Sequence, residues 1–264
     1  EIKRHLLRLS GGNNNAAVGV GLGPFSSVAA EKACRKFLYE CDFVGLRDMH
    51  SYELAKSLAP EANCHLTFDL APLILTDYYH EVAEIDRRGV AVSLCPVFNA
   101  KGEEVDQSHM LYELAFGLTQ SYRETGEPVF LIDFNGHEQF GDRNIHLALR
   151  DKLGTDVEVI HLDYQENVHA VLHALDLSKA VIGMRLHAAI LAYLVGRPVL
   201  AMKYHSKCEG WCDQVGMPEK LRFDCNHLDG LELQRILTQG LEEGFDQARL
   251  PINEAITFAQ ANWR

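Results

Sequence analysis

The sequence predicts an α/β architecture in which parallel sheets are covered by helices and the chain divides into two domains. Three observations carry this reading. Short apolar runs of about four to six residues alternate with helix-period segments of about ten or more, the pattern of right-handed βαβ crossovers. The short runs are apolar almost throughout, as strands buried on both faces are. A charged passage from Asp77 through Arg88 interrupts the alternation, which then restarts.

The first domain opens with a strand over Ala16–Val20, followed by Gly19-Val20-Gly21-Leu22-Gly23-Pro24 at its end. Apolar residues at helical spacing then run from Val28 to Tyr39. Phe43–Leu46 is a second strand, and a helix over Ser51–Leu58 follows with Asp48 as its N-cap. Cys64–Thr67 is a third short strand, leading into Asp69-Leu70-Ala71-Pro72. The domain boundary is expected near Glu84–Arg88.

The second domain begins with a strand over Val90–Leu94. Helix Ser108–Tyr122 leads to strand Val129–Ile132, and helix Asn144–Lys152 to strand Val157–His161. Helix Glu166–Leu175 leads to strand Ala180–Gly183. A helix with almost no polar face, Ala188–Val195, precedes a Gly-Arg-Pro turn and strand Val199–Met202. The expected organisation is a partial Rossmann-like domain over residues 1–86, a complete one over 87–249, and a terminal helix over 250–264 after Pro251. That helix could pack on either domain.

Composition narrows the function classes. Of the 264 residues, 47% are hydrophobic and 23% charged, enough for a substantial core. No run approaches the roughly 20 apolar residues of a membrane span. A net charge of −12 argues against nucleic acid as the main partner, and any anionic substrate must be held by local cations. Seven cysteines, an odd number spread through apolar segments, do not read as a disulfide framework; Cys34, Cys41, Cys64 and Cys95 read as buried thiols of a reducing compartment, so the expected location is cytoplasmic. Cys208, Cys212, Cys225 and His227 carry zinc-ligating atoms, but their spacing is a poor match to closed zinc motifs, and ordinary packing is expected.

The candidate site lies in Ala180–Lys207. Arg185 and His187 sit where a buried strand gives way to a buried helix, and ligands of open α/β sheets bind at such carboxyl ends. A guanidinium suits phosphate or carboxylate, and an imidazole moves a proton near neutral pH. The plain alternative is a surface arginine beside a satisfied interior histidine. Lys207 lies past the next strand, in a loop expected to neighbour that of Arg185, with Lys203 as a competitor. Arg47 ends a strand of the first domain in the same manner, although a surface charge explains it equally well. The glycines around Gly21 permit close backbone approach to a ligand or simply a tight turn; their spacing is not that of a dinucleotide-binding motif. The loop of Asn135-Gly136-His137 and Gly141-Asp142 is polar, but its spacing assigns no chemistry.

GVGLGP, LRDMHS, DLAP and GMRLHA…GRPVLAMKYHSK, in that order, resemble the polysaccharide pyruvyl transferase family. The resemblance runs from Ala16 to about Phe223 and is most specific in RLHA with the following YxxK. It implies two facing Rossmann-like domains of the GT-B type. It also implies transfer of the enolpyruvyl group of phosphoenolpyruvate to sugar hydroxyls of a glycan, or of its lipid-linked precursor, to form a pyruvate ketal. Arg47, Arg185 and Lys207 match the cationic donor-binding positions, and His187 the acid/base histidine. Phosphoenolpyruvate is then the donor substrate, with no nucleotide or metal cofactor, and the protein would work in the cytoplasm, reaching the inner membrane face through its substrate. Relatives usually open with a further N-terminal strand and glycine-rich motif, and many carry arginine where this chain has Leu94-Cys95-Pro96. The competing readings are a nucleotide-sugar glycosyltransferase of the same architecture and a non-catalytic, truncated glycan-binding relative.

Overall fold

The computed structural model describes residues 15–76, 86–99 and 102–263. The chain divides into two compact units, Glu1–Asp77 with Leu250–Arg264, and Tyr78–Arg249. The boundary expected near Glu84–Arg88 begins outside the described residues.

In the first unit, β1 (Ala16–Val20), β2 (Phe43–Leu46) and β3 (Cys64–Leu66) form a parallel sheet in that order. Helices α1 (Val28–Glu40) and α2 (Met49–Leu58) make the crossovers. The side chain of Ser27 caps α1, and Asp48 Oδ1 accepts the Ser51 N–H at 2.8 Å to cap α2, the role its sequence position predicts. Leu38, Val44, Leu46 and Ala55 are fully buried between sheet and helices.

The C-terminal helix, Ile252–Gln260, belongs to this first unit. Just beyond it, Asn262 is buried and uses both ends of its amide. Oδ1 accepts from Gly19 N and Thr67 Oγ1, and Nδ2 donates to the carbonyls of Phe68 and Ala259. The last segment is thus sewn to the carboxyl ends of β1 and β3.

Among the described residues the second unit holds six parallel strands: β4 (Val90–Ser93), β5 (Val129–Ile132), β6 (Val159–Leu162), β7 (Ala180–Gly183), β8 (Val199–Lys203) and β9 (Arg222–Asp224). Their order is β6-β5-β4-β7-β8-β9. The chain builds outward from β4 on one side, then returns to place β7 against the other side of β4. That reversal is the topological switch point of a Rossmann-like sheet. The helices are α3 (Ser108–Thr125), α4 (Arg143–Leu153), α5 (Val168–Asp176), α6 (Leu186–Leu194), α7 (Ser206–Val215) and α8 (Gly230–Glu243).

Sequence reading missed β9, α7 and α8. Strand β9 is only Arg-Phe-Asp and has no apolar run to announce it. Helix α7 buries Cys208, Trp211, Cys212 and Val215, a regular helical spacing disguised by cysteines and intervening polar residues. Elsewhere the ends move by a few residues: β6 begins at Val159, and α6 begins at Leu186.

From Ala188 to Leu194 every residue of α6 is buried. It approaches β7 so closely that a Cβ on Gly183 would stand 3.1 Å from both the Cβ and the amide nitrogen of Ala189. Glycine at the strand end lets the helix begin directly above the sheet edge. No described helix is long and apolar enough to cross a membrane.

Candidate functional site

The carboxyl ends of β4 and β7 are tied together by backbone. The Ser93 carbonyl accepts the N–H groups of Met184 at 2.8 Å and Arg185 at 3.4 Å. Arg185 therefore leaves the sheet at the switch point itself. It is also the N-cap residue of α6, and its own side chain makes no capping hydrogen bond. His187 lies in the first turn of α6 and is exposed.

The Arg185 guanidinium does not project alone. Its Nε donates to Asp142 Oδ1 at 3.0 Å, and its Nη2 donates to the same oxygen. Asp142 has no exposed surface, and its second oxygen accepts the N–H groups of Phe134 and Asn135, each at 2.9 Å. Burial works against the charge on Arg185, but the Asp142 carboxylate more than offsets it and holds the guanidinium protonated. The expectation of a projecting cation is modified: Arg185 is a clamped cation, 27% of its side chain exposed.

Lys207 lies in the first turn of α7 rather than in a loop. Its N–H donates to His205 Nδ1, the N-cap of that helix, at 3.2 Å, and its side chain makes no ion pair among the described residues. The next residue, Cys208, places Sγ 4.0 Å from the Met184 carbonyl, so the start of α7 adjoins the exit of β7. Lys203, the competitor, pairs with Glu209 at 3.3 Å.

Arg47 and Gly21 meet in the first unit. A Cβ on Gly21 would stand 3.1 Å from Arg47 Nε, so the glycine backbone lies against the guanidinium. Arg47 donates to Asp69 at 2.9 Å and lies 3.8 Å from Asp48, with its side chain 16% exposed. Two carboxylates hold it, against the simple strand-end cation the sequence suggested.

Sequence reasoning missed the polar framework behind Arg185. Asp133, at the end of β5, places Oδ1 2.5 Å from His146 Nδ1 and 2.9 Å from His161 Nε2. His146 Nε2 accepts the Leu94 N–H at 2.8 Å, which leaves its proton on Nδ1 and turns it toward Asp133. Burial pushes the Asp133 carboxyl up, but the two histidines outweigh it and hold the group below its usual range. The ligand atoms of Asp133, His146 and His161 lie within 4.8 Å of one another, as a metal site requires. Both nitrogens of His146 are already engaged, however, so the trio reads as a hydrogen-bonded brace for the end of β4.

Cys95, just past β4, is buried beside Tyr204, which follows β8. Burial pushes the Cys95 thiol up to about 11, only partly relieved by Arg185, and pushes the Tyr204 hydroxyl up as well. Both stay neutral. A strand-end aspartate followed by a pre-helix aspartate nine residues later was the one sequence signal for the Asp133 and Asp142 pair.

Residues 3–206 match the sequence profile of the polysaccharide pyruvyl transferase family. The chain belongs to the polysaccharide pyruvyl transferase family. The match takes in Gly21, Arg47, Arg185 and His187 and stops one residue before Lys207.

Solved structures place this family member among proteins of the GT-B fold. UDP-GlcNAc 2-epimerase from Neisseria meningitidis, bound to UDP-GlcNAc, is similar with a TM-score of 0.61 at 11% identity, over 94% of this chain and 67% of that one. A putative UDP-N-acetylglucosamine 2-epimerase from Listeria monocytogenes gives 0.56 at 15% identity, over 93% and 62%. A variant of TarM from S. aureus gives 0.52 at 13% identity, over 89% and 42%. The chain thus spans 42% to 67% of the length of these three proteins.

Proposed function

We propose that this chain transfers the enolpyruvyl group of phosphoenolpyruvate to sugar hydroxyls of a glycan or its lipid-linked precursor and closes it into a pyruvate ketal. The observation that carries the reading is the N-terminus of α6 at the switch point, with Arg185 as its N-cap residue and His187 on its first turn. The positive end of a helix and a fixed guanidinium together suit a dianion bearing phosphate and carboxylate. Membership of the polysaccharide pyruvyl transferase family supports transfer of a pyruvyl group to a sugar acceptor.

Arg185 and Lys207 hold the donor and neutralise the phosphate as it departs, and Arg47 with Gly21 forms the donor contacts of the first unit. His187 is the acid/base. A sugar hydroxyl adds to C2 of phosphoenolpyruvate as a proton reaches the C3 methylene, which becomes the methyl group. A second hydroxyl of the same sugar then attacks C2. The C–O bond to phosphate breaks, inorganic phosphate leaves, and the ketal closes. The residues 1–86 and 87–249 act as the two Rossmann-like domains, and the reaction takes place in the cytoplasm, at the inner membrane face when the acceptor is lipid-linked.

The test is phosphate release from phosphoenolpyruvate with a panel of acceptor sugars. Release that requires both substrates supports the reading. Thermal stabilisation by a uridine diphosphate sugar but not by phosphoenolpyruvate would sink it.

A further inference from the structure

Beside the Arg185 clamp lies a cleft of about 390 Å³ that the pyruvyl-transfer steps do not use. It opens outside the carboxyl ends of β5 and β6, between the loop after β5 and the residues after β6. We propose that this cleft binds a neutral pyranose unit of the acceptor glycan. The assignment rests on the pyruvyl-transfer reading for the word acceptor, but the cleft's preference for a sugar follows from its own residues.

Its volume falls within the roughly 300–1,000 Å³ of small-molecule sites. Its wall is held by hydrogen bonds within the loop itself. Asn135 Oδ1 accepts the His137 N–H at 3.1 Å, and Asn135 Nδ2 donates to the Phe140 carbonyl at 2.9 Å. His137 Nδ1 accepts the N–H groups of Gln139 and Phe140, both at 3.1 Å. With Nδ1 so occupied, the ring proton sits on Nε2, and His137 offers the cleft a hydrogen-bond donor. Hydroxyl oxygens are matching acceptors.

Tyr164 supplies the aromatic surface. Its side of the cleft is open, with the residue 45% exposed, while the backbone of Gly136 packs so near the ring that a Cβ there would stand 2.5 Å from Cδ1. A large ring held in place yet open to solvent suits the C–H face of a pyranose, whose other edges carry hydroxyls. Planar groups for those hydroxyls stand beside it, in the Arg143–Asp163 ion pair and the Asn144 amide.

Charge selects against a phosphorylated or nucleotide ligand. Asp133, Glu138 and Asp163 line the cleft against the single cation of Arg143, which Asp163 already meets. An anion would face net repulsion there, whereas a polyol faces a surplus of acceptors and a few fixed donors. The cleft is also joined to the donor site. Asp142 grips Arg185 with one oxygen and the first N–H groups of the cleft loop with the other, so a sugar seated on the loop bears on the same aspartate that sets the guanidinium.

The experiment uses the full chain and methyl glycosides of hexoses and N-acetylhexosamines, with binding measured by saturation-transfer NMR and titration. At least one glycoside binds the unaltered chain, and Tyr164→Ala weakens it by about tenfold or more while leaving stabilisation by phosphoenolpyruvate intact. Asp163→Asn, which keeps the shape of the site, weakens the same glycoside severalfold. Circular dichroism melts verify that each variant is folded. The proposal is overturned by any of three results: no glycoside binds, a glycoside binds equally well to Tyr164→Ala and Asp163→Asn, or uridine diphosphate binds in a Tyr164-dependent way. Failure of phosphoenolpyruvate to bind would defeat the pyruvyl-transfer reading instead, and would leave the glycoside result to judge the cleft by itself.

Discussion

Asp142 grips Arg185 from complete burial, with one carboxylate oxygen taking two guanidinium donors and the other taking two backbone N–H groups. A carboxylate is the one side chain that accepts on both sides at once. Removing one member of a buried, hydrogen-bonded ion pair costs about 3–5 kcal/mol, because the other is left charged and unsolvated.

Asp142→Asn therefore turns an amide N–H₂ toward other donors, either at Arg185 or at Phe134 and Asn135. Urea unfolding should show a loss of about 3 kcal/mol or more. Arg185→Lys, whose donors all sit on one nitrogen, should lower kcat/KM for phosphoenolpyruvate by about a hundredfold, since an ammonium cannot reproduce the planar grip of Nε and Nη2. An unaltered urea midpoint in the first variant would remove the clamp from the account.

His187→Ala should reduce phosphate release by about 10²–10⁴-fold, the usual contribution of a positioned acid/base. Stabilisation by phosphoenolpyruvate should persist, because the cations that hold it are still present. Unchanged phosphate release would take His187 out of the mechanism.

Asp133 makes a pH prediction. Its folded-state carboxyl titrates below the ordinary carboxylate value of about 3.9, because two histidine contacts outweigh the opposing effect of burial. Its contribution to stability is therefore complete above that unfolded value and drains away as pH falls through the lower folded one. At pH 6 the unaltered chain should exceed Asp133→Asn by about 1.5–3 kcal/mol, the range for hydrogen bonds to a charged group. The gap should narrow from pH 5 to pH 2.5. A gap that is constant over that interval contradicts the linkage.

The cysteines should be unreactive in the folded chain. All seven are buried and unpaired by disulfides, and the Cys95 thiol, pushed up to about 11, is ionised to only about one part in a thousand at pH 8. Ellman's reagent should label them after denaturation and not before. Native labelling of Cys95 within minutes would show that the switch point opens.

What was legible in the sequence was whatever apolar pattern controls. The strand bounds of β1, β2, β5 and β7 follow directly from runs such as Val129–Ile132, which must be buried on both faces. Arg185 and His187 stood out because polar residues interrupt an otherwise apolar stretch. The partner of Arg185 was not legible, since Asp142 reaches it across 43 positions and only the sheet order brings the two together. The same holds for Arg47 and Asp69, and for the brace of Asp133, His146 and His161, whose members sit on a strand end, a helix and a strand. Helix α7 was hidden for another reason: its buried positions are filled by Cys208 and Cys212, which do not announce a hydrophobic stripe as leucine would.

Asn262 joins Gly19 across 243 positions of chain. A ribosome adding roughly 5–20 residues per second takes about 12–50 s to make that span. During that interval the carboxyl ends of β1 and β3 wait for the segment that closes them, while the continuous second unit can already collapse around its six strands. The order of assembly therefore runs against the order of synthesis: β1 is made before the second unit, yet Gly19 meets its partner Asn262 only after that unit is complete. A premature stop a few codons before Asn262 would leave the Ala180–Lys207 stretch complete while denying the first unit its last stitch. Quality-control proteases would then meet a product whose second unit is complete and whose first unit is not.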